Sequence, residues 1–223
     1  MSVSSAAKQP VVFTGPSLSH VEARTLVKAE VCPPVRSGDL DCLSDNTAVA
    51  IIDGVLEPGS VLSVGEVRRA LRRGIKIWGA ASLGALRAYQ TTRDGMVGSG
   101  WVYKAYVSRR IQGTDEIGVI YDPFSHRPLT VPLVNVRFCL HRLVKRGEVA
   151  ERDAENAMRD LKCIPLEERS RRAVVLRLGQ AFGRERLKAA FRCAAGMNAN
   201  VKRRDALEIL RIIAGASARS SGV

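Results

Sequence analysis

The sequence predicts an α/β protein: an N-terminal parallel-sheet core with helices on both faces, followed by a mainly α-helical C-terminal part. Three observations carry this. Short apolar runs (Val11–Phe13, Val31–Cys32, Ala48–Ile52 and Ile75–Trp78) alternate with helical stretches over the first 90 residues, a pattern that argues a parallel sheet. From Leu133 onward apolar residues recur at helical spacing. The 46% hydrophobic and 26% charged content of the 223 residues is that of a globular chain able to bury a core without staples. The expected division is an α/β core over residues 11–147 and a helical region over 148–215 that packs on it.

Taken in order, residues 1–10 read as a disordered start. Thr14-Gly15-Pro16-Ser17 breaks the first strand. Ser17 and Ser19 stand at the start of a helix with Val21, Ala23, Leu26 and Val27 as its apolar side. Pro33-Pro34 stops the second strand and opens a loop to residue 46. The third strand ends in Asp53-Gly54, and a basic helix over 66–73 closes at Gly74. Leu83–Tyr89 reads as a helix, residues 95–100 as a glycine-rich loop or lid, and 101–106 as a short helix. Glu116–Tyr121 resembles a strand, and the prolines of 122–132 make that stretch a loop. Helices follow over Leu133 to Gly147, Asp153–Leu161, Glu167–Leu178, Arg184–Cys193 and Arg203–Ala214, with Gly183 and Gly196 as boundaries and a polar tail from Ser217. No internal repeat is present.

The formal charge of +13 implies attraction to something acidic, and much of it falls after residue 100. Aromatics at 5% give poor stacking platforms for single-stranded nucleic acid, and no recognition motif accompanies the charge. No run is long enough to span a bilayer, and Met1 to Pro10 lacks the apolar stretch of a secretory signal. The five cysteines show no CxxC spacing, which argues reduced thiols in a cytoplasmic protein. Cys139, Cys163 and Cys193 sit in apolar helical contexts and read as core, whereas Cys32, near a strand end, is the one candidate reactive thiol. One carboxylate at a strand end is too little for a metal site, and no cofactor is expected.

The stretch from Ile75 to Ala88 concentrates the chemistry. A buried strand runs into Ala80-Ala81-Ser82-Leu83-Gly84 and then into a helix. Small neighbours allow the sharp bend that lifts a serine hydroxyl clear of the backbone. The first N–H groups of the helix, at Leu83 and Gly84, point at the same spot and suit an oxyanion. Ala80 replaces the first glycine of the stricter hydrolase pattern, and a serine here also suits a plain helix cap. Ser17, Asp53 and Ser82 each follow the carboxyl end of a strand, the edge that carries ligands in open α/β sheets. A serine nucleophile needs a base. None of His20, His126 and His141 reads as beside a carboxylate at a strand end. Lys202 starts an amphipathic helix that must pack on something, and burial would leave its amine neutral and basic.

Seven motifs in register resemble those of TfuA-like proteins. They are Val12-Phe13-Thr14-Gly15-Pro16-Ser17-Leu18, Cys32-Pro33-Pro34-Val35-Arg36-Ser37-Gly38-Asp39-Leu40, Ile52-Asp53-Gly54-Val55 and Trp78 to Ala88. Gly95-Met96-Val97-Gly98 with Gly100-Trp101-Val102-Tyr103, Thr114-Asp115-Glu116-Ile117 and Pro132 to Arg137 complete the set. The resemblance covers residues 11–140 closely and the helical remainder loosely, mainly at Val201 to Leu207. It implies a partner of YcaO enzymes, which activate peptide backbone amides with ATP. The implied role is hydrolysis of a thiocarboxylated, ThiS-like sulfur carrier, releasing sulfide for thioamides in ribosomal peptide natural products or in an enzyme subunit. The precursor peptide would be met through YcaO. A serine–lysine pair is the implied machinery. Both Ser17 and Ser82 lie in matching motifs; the turn favours Ser82 as nucleophile, with Ser17 as nucleophile or hydrogen-bond partner, Lys202 as general base and Asp53 orienting a partner. Arg109, Arg110 and Arg142 are the expected contacts to an acidic carrier, under a lid at 95–100; neither nucleic acid nor membrane is an expected partner. Two departures stand out: Val64-Gly65-Glu66 replaces the family's frequent His-Lys-Glu run, and Gly118 replaces a small apolar residue. The alternative role is a non-catalytic adaptor that raises the affinity of YcaO for its peptide.

Overall fold

The computed structural model describes residues 9–182 and 200–220. Five strands form one sheet: β1 (Val11–Phe13), β2 (Glu30–Cys32), β3 (Ala48–Ile51), β4 (Lys76–Gly79) and β5 (Val97–Gly98). Their order is β2-β1-β3-β4-β5 and every pairing is parallel. Phe13 lies opposite Cys32 on one side and Ile51 on the other, and Ile51 lies opposite Gly79. The order therefore runs one way from β1 to β2 and the other way from β3 onward, so the switch point lies between β1 and β3.

The strands alternate their side chains. Val11, Phe13, Val49, Ile51 and Ile77 share a core with α2 (Val64–Arg72), α3 (Leu83–Thr91) and α4 (Gly100–Val107). Val12, Val31, Ala50 and Ile52 face the other way, onto Ala23 of α1 (His20–Leu26) and Ala206, Ile209 and Leu210 of α8 (Val201–Ser220). A helix from the far end of the chain thus completes the second face. A third cluster joins α5 (Leu133–Lys145), α6 (Glu151–Lys162) and α7 (residues 171–182). Val134 and Phe138 of α5 also enter the first core, which ties the helical layer to the sheet.

Several expectations are corrected. Val21 and Leu26 are 74% and 49% exposed; α1 buries Ala23 instead, and Val27 beyond its end. Glu116–Tyr121 is not a strand: only Tyr121 forms a bridge, to Pro128. Glu116 is buried there and accepts from Arg137 at 2.6 and 3.0 Å, with Lys162 Nζ at 2.7 Å, which holds the segment through side chains instead of a ladder. Residues 95–100 are no free lid, because Val97–Gly98 pairs with Trp78–Gly79 as the sheet's edge. Gly100 (φ +88°) then starts α4 so close to Asp205 that a side chain there would clash. The helix expected over 203–214 runs from Val201 to Ser220, so the tail from Ser217 is helical to Ser220. The expected helix over 184–193 and the boundaries at Gly183 and Gly196 lie outside the described residues, as do residues 1–8. Cys163 is exposed, not core, and Cys193 falls outside the described residues.

Candidate functional site

The loop after β1 and the end of β3 meet at the switch point. Ile52 and Asp53 both donate their N–H to Phe13 O, at 2.9 and 3.2 Å, which fixes the two strand ends together. The Asp53 carboxylate then collects three donors from the β1 loop. Gly15 N and Ser17 N reach Oδ2 at 3.0 and 2.9 Å, and the Ser17 hydroxyl donates to Oδ1 at 2.6 Å. A turn with two N–H groups aimed at one point is an anion cradle, and Asp53 fills it.

Lys202, in the first turn of α8, comes to the same carboxylate. It is 2% exposed. Its Nζ donates to Ile117 O at 3.0 Å and lies 3.9 Å from Asp53 Oδ1. Burial pulls this amine below its ordinary value, and the Asp53 carboxylate opposes the shift only in part. The structure therefore brings together Ser17, Asp53 and Lys202, with Asp53 Oδ1 as the shared neighbour. The amine hydrogen-bonds neither serine; it is anchored on the backbone of the 114–118 segment.

Ser82 stands at the end of β4, the next strand along. It is buried and caps α3 in position, yet its hydroxyl makes no cap bond. The strain of the turn falls one residue earlier, on Ala81, whose φ of +64° lies in the left-handed region. A side chain at Gly84 would collide with Ile51 O, so only glycine lets α3 start this close to β3. The first-turn N–H groups at Leu83 and Gly84 thereby sit on the same rim as Asp53, without a cap from Ser82.

Two histidines that the sequence places away from any strand-end carboxylate lie close to the site. His20 hydrogen-bonds Thr14 O through Nε2 at 2.9 Å, and its ring lies 4.7 Å from that of His126, which borders Gly15. Burial and then His20 hold His126 below its usual value, while Asp53 pulls it up. His20 was visible as three residues past Ser17. His126 reaches the rim through a loop closed by the Tyr121–Pro128 bridge and by the bonds of Asp122 N to Arg127 O and His126 N to Asp122 O, at 2.9 and 2.8 Å. Cys32 is no competing nucleophile: burial and Glu30 push its thiol up to about 11, opposite to what a reactive thiolate needs.

Access to Lys202 comes from the helical layer. A cavity of about 360 Å3 reaches Lys202 and Pro16, walled by Val119, Leu129, Val136, Leu140 and Val174. Of the three expected partner contacts, Arg110 shares a small cavity with His141, which also lines the hollow that Arg142 borders. Arg109 and Arg110 are exposed just beyond the end of α4, whereas Arg142 lies on α5 over the Phe138 ring. Part of the positive charge is structural: Arg137 and Arg169 are buried on Glu116 and Asp115. Among the described residues no cluster of His, Cys, Asp and Glu is placed to hold a metal ion, and no helix is long and apolar enough to cross a membrane.

The chain is a parallel α/β protein with polar residues gathered at its switch point, the edge where open sheets of this class carry their ligand sites. The family model described as TfuA-like protein matches residues 53–170, and the chain belongs to that family. Membership suggests an accessory role in YcaO-associated thioamidation and implies a YcaO partner. No match was found among curated proteins. The matched stretch includes Asp53 and Ser82; Ser17 and Lys202 lie outside it.

Proposed function

We propose that this protein hydrolyses a thiocarboxylated, ThiS-like sulfur carrier in the cytoplasm and releases sulfide to a YcaO enzyme that thioamidates a ribosomal peptide. The observation that carries the reading is the buried Ser17–Asp53–Lys202 cluster. Ser17 Oγ attacks the thiocarboxylate carbon, and its proton leaves along the 2.6 Å bond to Asp53, with Lys202 the next base beyond. The C–S bond breaks, sulfur departs as hydrosulfide and takes up that proton, and an ester on Ser17 remains. Water then hydrolyses the ester, so that thioacid plus water gives carboxylic acid plus hydrogen sulfide with no redox change. The role of holding the developing oxyanion is assigned to the first N–H groups of α3, at Leu83 and Gly84, and to the Ser82 hydroxyl at its N-cap. Geometry thus favours Ser17 as nucleophile over Ser82, because Ser17 already has an acceptor for its proton.

The test is purified protein with thiocarboxylated carrier and no YcaO, read as sulfide release, together with mass mapping of a fluorophosphonate label. The expected label is on Ser17, and Ser17→Ala is expected to lower the rate by roughly a hundredfold or more. A label on Ser82 would exchange the two serines' roles. One observation favours a second reading, that of an adaptor: Lys202 is anchored on Ile117 O, and Asp53 is fully occupied in holding the β1 loop. Absence of sulfide release with wild-type protein establishes that reading.

A further inference from the structure

Beside the site lies a second concavity that the hydrolysis does not use. The basin between α5 and α8 holds about 700 Å3, and Arg142, Lys145, Arg146, Arg203 and Arg204 line it, with no carboxylate among the described lining residues. The nearby acids neutralise it incompletely. Glu22 pairs with Arg203, Glu148 reaches Arg146 at 3.6 Å, and the fully buried Asp205 lies 3.8 Å from Arg204. Arg142 and Lys145 form no ion pair among the described residues. His141, also on the basin wall, is held below its usual value first by burial and then by Arg110 and Lys145, with Glu151 opposing them.

The floor decides what the charge can recognise. Trp101 and Phe138 meet edge to face, 5.1 Å between centroids. The guanidinium of Arg204 lies 4.8 Å over Phe138 and that of Arg142 5.8 Å from the same centroid. The ring face is thereby taken by cations, which removes it as a base-stacking platform and holds the arginine forks in place for carboxylates. A basin of this volume admits several acidic side chains, not a duplex. Position adds the second argument. Arg203 and Arg204 directly follow Lys202 on α8, and Asn200 lines both the basin and the cavity that reaches Lys202.

We propose that this basin docks a carboxylate-rich face of the protein substrate, whose carboxyl-terminal tail then passes Asn200 into the cavity at Lys202. The tail's destination rests on the hydrolase reading; the docking does not. The test is therefore equilibrium binding without turnover. The probe is an unmodified, net-negative ubiquitin-like sulfur carrier, followed by fluorescence anisotropy at 50 and 300 mM salt. Arg142→Glu/Lys145→Glu is expected to weaken binding by about tenfold or more at low salt, with the difference shrinking at high salt. Arg142→Lys/Lys145→Arg, which keeps charge and fold, is expected to stay within about threefold. Lys28→Glu/Arg72→Glu makes the same charge change at the opposite edge of the sheet. An equal loss in that variant would overturn the basin, since net charge alone would then explain the binding. Unchanged affinity in the basin reversal would overturn it too, as would a short DNA duplex that binds more tightly than the carrier and is lost in the same variant. Carrier bound at the basin with no sulfide released would leave the docking intact and remove the hydrolase.

Discussion

The buried pair at the switch point should respond asymmetrically to loss of its two members. Asp53 accepts three hydrogen bonds from its own neighbourhood, and Lys202 adds only a 3.9 Å approach. Lys202→Met therefore leaves the carboxylate satisfied. It removes one charged hydrogen bond, to Ile117 O, worth about 1.5–3 kcal/mol, and it also removes a buried amine whose desolvation costs several kcal/mol. The net change is expected within about 2 kcal/mol of zero. Asp53→Asn keeps an acceptor for Gly15 N and Ser17 N but strands the amine in the interior, at about 3–5 kcal/mol. Urea unfolding at pH 7 of the two variants measures the contrast, with sulfide release as the functional readout. Lys202→Met should be stable and inactive. The pH dependence carries a sign. A folded value below the ordinary 10.5 means that wild-type stability is full above 10.5 and is lost as pH falls through the lowered value. Lys202→Met should accordingly gain on wild type as pH falls from 11 toward neutrality. If Lys202→Met costs as much as Asp53→Asn, the ammonium is a structural counterion and no poised base.

Two further predictions follow from the same geometry. Asp205 caps α4 by accepting from Val102 N at 2.8 Å, but its Oδ1 accepts no hydrogen bond, with Arg204 Nε 3.8 Å away, and burial lifts its carboxyl to about 6. A raised value gives stability that is full below the ordinary 3.8 and lost as pH rises through 6, so wild type should lose about 2–3 kcal/mol against Asp205→Asn between pH 4 and 7.5. Parallel melting curves at the two pH values check this, and parallel offsets would refute it. Ala81→Gly should relieve the left-handed backbone at the turn and raise the melting temperature by about 2–4 °C per kcal/mol recovered, of roughly 1 kcal/mol available.

Much of the sheet was legible because each strand is a short apolar run that ends in Gly, Pro or Asp. The fifth strand was not, since two residues, one of them glycine, carry no alternation to detect. Glu116–Tyr121 failed for the converse reason. Its apolar run resembles a strand, but Glu116 and Ile117 lie in a turn closed by Gly118 N to Thr114 O, and Glu116 is bound by Arg137 and Lys162. On α1, small Ala23 is buried while larger Val21 and Leu26 are exposed, so size misled where position decided. In the site, Ser17, Asp53 and Ser82 were visible from strand-end position alone, and Lys202 from the apolar residues around it. Their sorting into a Ser17–Asp53–Lys202 group, with Ser82 one strand away, depends on the reversal of strand order between β1 and β3, which no local pattern encodes.

The origin of the amine has a consequence for how the site assembles. Ser17, Asp53 and Ser82 belong to one continuous stretch from β1 to the start of α3, and their mutual placement follows from the register of the adjacent strands β1, β3 and β4. Lys202 arrives 120 residues beyond Ser82, on a helix whose Ala206, Ile209 and Leu210 cover the face of the sheet that α1 leaves open. Its acceptor, Ile117 O, belongs to a segment fixed by Glu116 to α5 and α6. The amine is thus held only when α8 has docked and the helical layer has pinned the 114–118 segment. The family match ends at residue 170, before α8 begins, so a chain cut there would retain Asp53 and Ser82 but neither the buried amine nor Arg203 and Arg204 beside it. On the proposed reading, the base and the docking arginines enter together on one helix, which would couple recognition of the partner to completion of the centre.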